Sequence, residues 1–125
     1  MQGLNRIRIS PHFLLCEFEC PCCHRVKLDA RLIEVLEKVR AHIGKSVQVT
    51  SGYRCPEHNK AIGGAKDSDH LYGWAADIVV KGMAPEELVE VAANAGGIRL
   101  GTYRNRSCVH VGVQHRDGLP DRWRT

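Results

Sequence analysis

The chain has 125 residues, of which 43% are hydrophobic and 26% charged, and its formal net charge is +4. This length and balance are typical of a single globular domain, so we expect one domain over residues 1–125. The positive charge is mild and scattered along the chain, which argues against nucleic acid as a partner and is compatible with an anionic polymer such as a cell wall.

The sequence has no window that approaches the ~20 consecutive apolar residues of a membrane span. Residues 1–8 also lack the apolar core of a secretory signal. We therefore expect a protein without a membrane span that is synthesised in the cytoplasm without a signal peptide, and we favour a monomer.

In chain order, an irregular segment is predicted up to about residue 26, since Pro11 and Pro21 interrupt it. The first helix is predicted to follow Asp29, a good N-cap, and to end at Gly44, a natural stop. Its apolar residues recur at helical spacing and form one stripe. The stripe consists of Leu28, Leu32, Leu36, Val39 and Ile43.

A short strand is predicted at residues 46–50, where apolar and polar residues alternate. A short helix is predicted at residues 56–62, with Pro56 in its first turn and Gly63 at its end. The polar residues 65–69 are expected to form a loop.

Residues 75–80 are nearly all apolar and predict a central strand. A helix is predicted at residues 83–95, with acidic side chains in its first turn. Strands at residues 98–103 and 109–113 follow, joined by a turn at residues 105–106. The Arg- and Asp-rich tail is expected on the surface. Helices before and between clustered strands favour an α+β fold with a small, mainly antiparallel sheet and helices packed on it.

Two of these strands carry polar side chains suited to binding a metal. Asp77 shares its strand face with Ala75 and Val79, and His110 lies on the face opposite the valines of its own strand. If the two strands are neighbours, Asp77 and His110 face a common cleft, within about 5 Å of each other. A carboxylate buried in so apolar a run costs several kcal/mol unless a cation or full hydrogen bonding compensates.

A third such side chain, His70, precedes Asp77 by seven residues, and Gly73 allows the chain to turn between them. Two imidazoles and one carboxylate form a ligand set that binds zinc and leaves a fourth position for water. We therefore predict that His70, Asp77 and His110 bind Zn²⁺ in a cleft on the sheet.

The pattern Ser-x-His-x-x-Gly-x-Ala-x-Asp at residues 68–77, followed by Val-His-Val at residues 109–111, resembles that of the zinc D-Ala-D-Ala carboxypeptidases and L-Ala-D-Glu endopeptidases. That family includes vancomycin-resistance dipeptidases and phage endolysins. Further matches are Ser-Gly-Tyr-Arg at residues 51–54, Pro-Glu-His-Asn at residues 56–59 and, more loosely, Asp-Arg-Trp at residues 121–123. The likeness covers nearly the whole chain.

The resemblance implies the same three metal ligands and a substrate-binding role for Arg54, whose planar guanidinium can contact both oxygens of a substrate carboxylate. The alternative is a structural arginine paired with a nearby Asp or Glu. Ser68 is expected either to hydrogen-bond the substrate or to cap the turn before His70.

A zinc peptidase also needs a general base, and the residues around His110 offer none. They are Ser107, Cys108 and Gly112, whereas similar sequences often read Val-His-Val-Asp, with Asp where Gly112 stands. Three roles are open to Cys108, namely a weak substitute for the base, an added metal ligand and a small buried hydrophobe, and we favour the last. Three other residues are candidates for the catalytic base: Asp69, His115 and Asp117.

Four of the six cysteines crowd into eight residues: Cys16, Cys20, Cys22 and Cys23. Reduced thiols are expected, since no signal sequence directs the chain to an oxidising compartment. One interpretation of the cluster is a structural zinc site. The alternative is reduced thiols that pack against the first helix, together with Cys55 and Cys108.

The leading hypothesis is a zinc metallopeptidase that cleaves a peptide bond in bacterial cell-wall peptidoglycan, as a carboxypeptidase or an endopeptidase, with no nucleic acid partner. Without a signal, it would reach the wall after lysis or as part of a phage particle. One alternative is a catalytically weak or inactive, zinc-containing wall-binding or structural module of a phage or prophage. Another is a Cys-cluster zinc protein whose partner is a protein.

Overall fold

The computed structural model describes residues 5–125. Residues 1–4, half of the segment that lacks the apolar core of a secretory signal, lie outside the described residues. Within this range the helices are α1 (Ala30–Ile43), α2 (Pro56–Ala61) and α3 (Pro85–Asn94). The strands are β1 (Arg8–Ser10), β2 (Phe13–Leu14), β3 (Gln48–Ser51), β4 (Ala75–Val79), β5 (Arg99–Thr102), β6 (Val109–Gly112) and β7 (Arg122–Arg124).

Five strands form the main sheet, in the order β3-β4-β6-β5-β7. The pairs β3–β4, β4–β6 and β5–β6 are antiparallel, and β5–β7 is parallel. The predicted α+β fold with a small, mainly antiparallel sheet is therefore confirmed.

One face of this sheet packs against α1 and α3 to form the core, and the opposite face carries the polar residues. The core residues of the sheet are Ala76, Ile78, Leu100, Val109 and Val111, and those of the two helices include Leu32, Leu36, Val39, Leu88 and Ala92. Because strand side chains alternate between faces, Asp77 and His110 point away from this core.

Helix α1 forms as its sequence predicts. The Asp29 carboxylate accepts a hydrogen bond from the backbone N–H of Arg31 at 2.9 Å, and Gly44 ends the helix in the left-handed conformation, with φ +71°. The other predicted helices and strands form with ends that differ by one or two residues. No helix within residues 5–125 has the length and apolar character needed to cross a bilayer.

The prediction of an irregular N-terminal segment is wrong for residues 8–18, whereas residues 19–26 contain no helix or strand. Strands β1 and β2 pair antiparallel, with Pro11 in the turn between them, and a 3₁₀ helix follows at Leu15–Phe18. Glu37 on α1 accepts hydrogen bonds from the Ser10 hydroxyl at 2.6 Å and the His12 backbone at 2.8 Å. Proline is tolerated here because it lies in the turn and not within either strand.

The tail also contains a strand that the sequence analysis did not predict, since β7 pairs in parallel with β5. Arg122 and Arg124 are exposed, as expected, but Trp123 is half-buried. Its indole lies against Gly101 so closely that a Cβ atom on Gly101 would overlap the ring. A glycine on β5 therefore makes room for the tail.

Candidate metal centre

Asp77 and His110 lie directly opposite each other on β4 and β6. The Nδ1 atom of His110 is 3.4 Å from Oδ1 of Asp77, and the Nε2 atom of His70 is 3.3 Å from the same oxygen. The structure thus brings together on one side of the sheet the three residues that the sequence selects as metal ligands.

His70 reaches this point from a 3₁₀ helix at Asp69–Tyr72, which replaces the end of the predicted loop. The Ser68 hydroxyl caps the turn by accepting a hydrogen bond from the His70 backbone N–H at 3.2 Å. Gly73 ends it with φ +74°, at a position where a Cβ would collide with the Lys27 backbone. The short helix and its two ends therefore aim the imidazole at β4.

Each imidazole has one nitrogen occupied and one free. His70 Nδ1 donates to the Gly52 carbonyl at 2.7 Å, which fixes the tautomer because a carbonyl only accepts. His110 Nε2 lies 3.1 Å from Oδ2 of Asp69, and in the neutral ring donation to that carboxylate leaves Nδ1 free to bind a cation. Outer hydrogen bonds of this kind are typical of metal-binding histidines.

The surroundings of the Asp77 carboxylate show whether a cation would fit between the three side chains. Its Oδ1 atom is buried and has no hydrogen-bond partner among residues 5–125, despite the two ring nitrogens nearby. Ligands bound tetrahedrally to zinc at about 2.0–2.1 Å lie about 3.3–3.4 Å apart, which agrees with the two distances to Oδ1. One atom from each of the three residues lies within 4.8 Å of the others. The donor set and the orphaned oxygen therefore fit a zinc ion.

Asp77 is prepared for this role by its surroundings. Burial raises the pKa of its carboxyl, but the contacts with His110 and His70 outweigh burial, so the pKa lies below its usual range. Arg54 Nη2 lies 3.4 Å from Oδ2, the oxygen that faces away from the histidines. The carboxylate is thus ionised and oriented.

Arg54 forms the ion pair foreseen as its structural alternative, and it also lines the cleft. Its Nη1 donates to the Asn59 side chain at 3.3 Å and its Nε donates to the Ser51 hydroxyl at 3.2 Å. These contacts fix the guanidinium plane beside Asp77.

Both oxygens of the Asp69 carboxylate, unlike those of Asp77, have hydrogen-bond partners. Its Oδ2 accepts from Arg99 Nε at 2.8 Å and its Oδ1 accepts from Arg116 at 3.0 Å, besides the contact to His110. Burial raises its pKa, but His110 and the two arginines outweigh this and lower it below the usual range. A Cβ built on Gly112 would lie 3.2 Å from Oδ2. The Asp69 carboxylate therefore occupies space beside the position at which similar sequences carry Asp.

The centre opens into a cleft of about 440 Å³ that is lined by both histidines and Arg54. Sequence reasoning missed several residues that line it: Arg99, Tyr103, Arg106, Arg116 and Trp123. The Trp123 ring lies 4.9 Å from that of His110 between centroids. The loose Asp-Arg-Trp match was the one signal for Trp123, and the three additional arginines give the cleft a basic wall.

The remaining predicted residues lie elsewhere. His115 is 56% exposed, hydrogen-bonds Asp121 at 2.9 Å and borders a neighbouring depression instead of the cleft. Asp117 is fully exposed. Cys108 is buried, as expected of a small hydrophobe. A more open depression of about 750 Å³ at the β5–β6 turn is lined by none of the predicted site residues.

Comparison with known proteins identifies the family. No curated protein matches the chain significantly. The sequence model described as Peptidase M15 matches residues 11–112, a span that includes His70, Asp77 and His110. The chain therefore belongs to the peptidase M15 family, whose members are metal-dependent peptidases, typically zinc enzymes.

Proposed function

We propose that this chain is a zinc metallopeptidase that hydrolyses a peptide bond in peptidoglycan peptides, as a carboxypeptidase or an endopeptidase. The observation that carries the proposal is the convergence of His70 and His110 on a buried oxygen of Asp77, which has no other partner within residues 5–125, beside an open cleft. Action on the wall after lysis, or as part of a phage particle, belongs to the same proposal.

We assign His70 Nε2, His110 Nδ1 and Asp77 Oδ1 as the zinc ligands. A zinc ion supplies a Lewis acid that polarises the scissile carbonyl and lowers the pKa of water. The hydrogen bonds to Gly52 and Asp69 hold the two rings in the required tautomers. The surrounding chain thereby fixes the ligands before a substrate enters.

The basic wall of the cleft suits a substrate that carries free carboxylates, as peptidoglycan peptides do. Arg54 lines the cleft while it holds Asp77, so we propose that it serves both purposes. Arg106 also lines the cleft, stacks on Tyr103 and forms no ion pair with any residue that the structure describes. The Ser68 hydroxyl accepts from His70 and keeps its own proton for a substrate oxygen.

Every carboxylate of the site is engaged by an arginine. Asp77 contacts Arg54, while Asp67 and Asp69 both contact Arg116. We therefore propose that Asp69 orients His110, and that it acts as a base only if an arginine releases it. The exposed His115 would act as the base only by moving into the cleft. This engagement of the carboxylates favours a second candidate function, a zinc-containing wall-binding module with weak or no turnover.

The test is an assay for new amino groups released from purified peptidoglycan, with and without chelation. We expect release by the native protein and its loss on chelation and in His70→Ala, whereas His42→Ala, on the exposed face of α1, retains activity. Release that survives both treatments contradicts the proposal. Zinc and peptidoglycan binding without any release identifies the second candidate.

A further inference from the structure

We propose that Cys20, Cys22, Cys23 and Cys55 bind a second metal ion, a structural Zn²⁺ held by four thiolates. One sulfur from each cysteine lies within 4.8 Å of the others. This cluster, named here the thiol cluster, shares no residue with the centre on the sheet. The proposal is independent of the peptidase function, because it concerns a different set of side chains.

The thiol cluster is not the crowded group that the sequence displays. Cys16 belongs to that group of four but not to the thiol cluster. Its place is taken by Cys55, the residue immediately before α2. Cys20 and Cys23 are separated by two residues, an ordinary spacing for a metal-binding cysteine pair. The fold therefore completes a ligand set that the N-terminal segment begins.

The sulfur separations suit a shared metal ion. Cys22 Sγ lies 3.2 Å from Cys55 Sγ and 3.6 Å from Cys20 Sγ. Four sulfurs bound tetrahedrally to zinc at about 2.3 Å lie about 3.8 Å apart, whereas disulfide sulfurs are about 2.05 Å apart. All six cysteines are free thiols in the described chain. The cluster thus has nearly the dimensions of a closed Cys₄ site.

The backbone around the thiol cluster stabilises thiolates. The backbone N–H of Cys55 points at Cys20 Sγ at 3.4 Å, and that of His58 points at Cys55 Sγ at 3.4 Å. His24 is the one non-glycine residue with positive φ in the described range, at +62°. Its N–H donates to the Cys20 carbonyl at 2.8 Å, so the left-handed turn closes the loop that presents Cys20, Cys22 and Cys23 together.

The position of the thiol cluster indicates a structural role. Cys20 and Cys55 are buried with Tyr53 in a small cluster separate from the main core. Cys55 follows Arg54, the arginine that contacts Asp77. A metal ion here would tie the N-terminal segment to the loop that carries Arg54. Four protein ligands leave no open position for a substrate, as in structural zinc sites.

The experiment measures metal content and cobalt spectra of the full-length protein purified under reducing conditions. We expect about two zinc ions per native chain and about one in His70→Ala. Cobalt-loaded His70→Ala should retain intense thiolate charge-transfer absorption. Cys23→Ser should lower the zinc content by about one and weaken this absorption, whereas Cys16→Ser, its matched control, should change neither.

The cobalt spectrum of His70→Ala decides the question even if Cys23→Ser fails to fold, because it leaves all four thiols in place. Absence of thiolate charge-transfer bands in that variant overturns the proposal. A zinc content of about one in the native chain that falls to zero in His70→Ala also overturns it. So does a Cys22–Cys55 disulfide found by mass spectrometry of the native protein.

Discussion

Asp69 Oδ2 lies 3.1 Å from Nε2 of His110, on the opposite side of the ring from the nitrogen that faces Asp77. The imidazole therefore bridges two buried carboxylates. Asp77 is placed to share a cation with it, and Asp69 is placed to hold its proton. The strand of His110 has no acidic residue, and the carboxylate beside its Nε2 atom comes instead from the 3₁₀ helix at Asp69–Tyr72.

Asp69→Asn tests the positioning role of this carboxylate. We expect zinc affinity at the sheet centre to fall by about 10–100-fold, because loss of an outer partner leaves the ring less basic and less well oriented. Competition with a chromophoric chelator measures the change. So that only the sheet centre binds zinc in this assay, the four cysteines of the thiol cluster are replaced together or chemically blocked.

Asp67→Asn is the matched control, since Asp67 also pairs with Arg116 but does not contact His110. Its zinc affinity should stay close to that of the native protein. If Asp69→Asn binds zinc normally yet loses all hydrolysis, Asp69 acts as the base and the positioning role is wrong.

Arg106→Ala tests recognition of the substrate carboxylate. Arg106 lines the cleft and forms no ion pair within residues 5–125, so its charge is available to a ligand. We expect KM for a peptidoglycan peptide to rise by about tenfold, equivalent to about 1.4 kcal/mol of lost binding, while kcat changes little. Steady-state kinetics on a soluble peptide measure both constants.

Arg104→Ala provides the comparison, because Arg104 carries the same charge on the same turn. It lines the more open depression at the β5–β6 turn and not the cleft. Equal increases in KM for the two variants would show that general charge, and not the position of Arg106, governs binding.

Gly101→Ala tests the docking of the tail. The added methyl group would overlap the Trp123 indole, so we expect the free energy of unfolding to fall by about 1–3 kcal/mol, as for other overpacked sites. Urea denaturation measures it. In a Trp123→Ala background the same substitution should cost much less, since the overlapping ring is gone. An equal cost in both backgrounds would exclude the ring as the cause.

Asp29→Ala tests the N-cap of α1 and its pH dependence. We expect a loss of about 0.5–2 kcal/mol near neutral pH. The Arg31 side chain lowers the pKa of the Asp29 carboxyl in the folded protein. The stabilisation by Asp29 is therefore fully present above the pKa of Asp in the unfolded chain, about 3.9, and is lost as the pH falls through the lower pKa of the folded state. Urea denaturation at several pH values should show the native and variant proteins converging in acid. A difference that grows in acid would contradict the sign of this shift.

Local sequence patterns predicted most of the fold and the proposed ligands. Strand alternation predicted which face of its own strand Asp77 and His110 each occupy, and Asp29 and Gly44 predicted the ends of α1. These features depend on residues that are close in sequence, so periodicity and capping are sufficient to predict them.

What the sequence did not predict depends on contacts between distant segments. Gly52 offers its carbonyl to His70, and Trp123 fits against Gly101, only after the sheet has formed. Cys55 likewise joins the thiol cluster through the fold and not through spacing. Strand register and tail docking set these contacts, and a single sequence carries little direct signal for either.

An anomalous-difference map collected at the zinc edge from crystals of the native protein tests the central claim most directly. The account predicts a peak at about 2.0–2.2 Å from Nε2 of His70, Nδ1 of His110 and Oδ1 of Asp77. A map without density between these three atoms, from crystals in which zinc is bound elsewhere or added in excess, would contradict it.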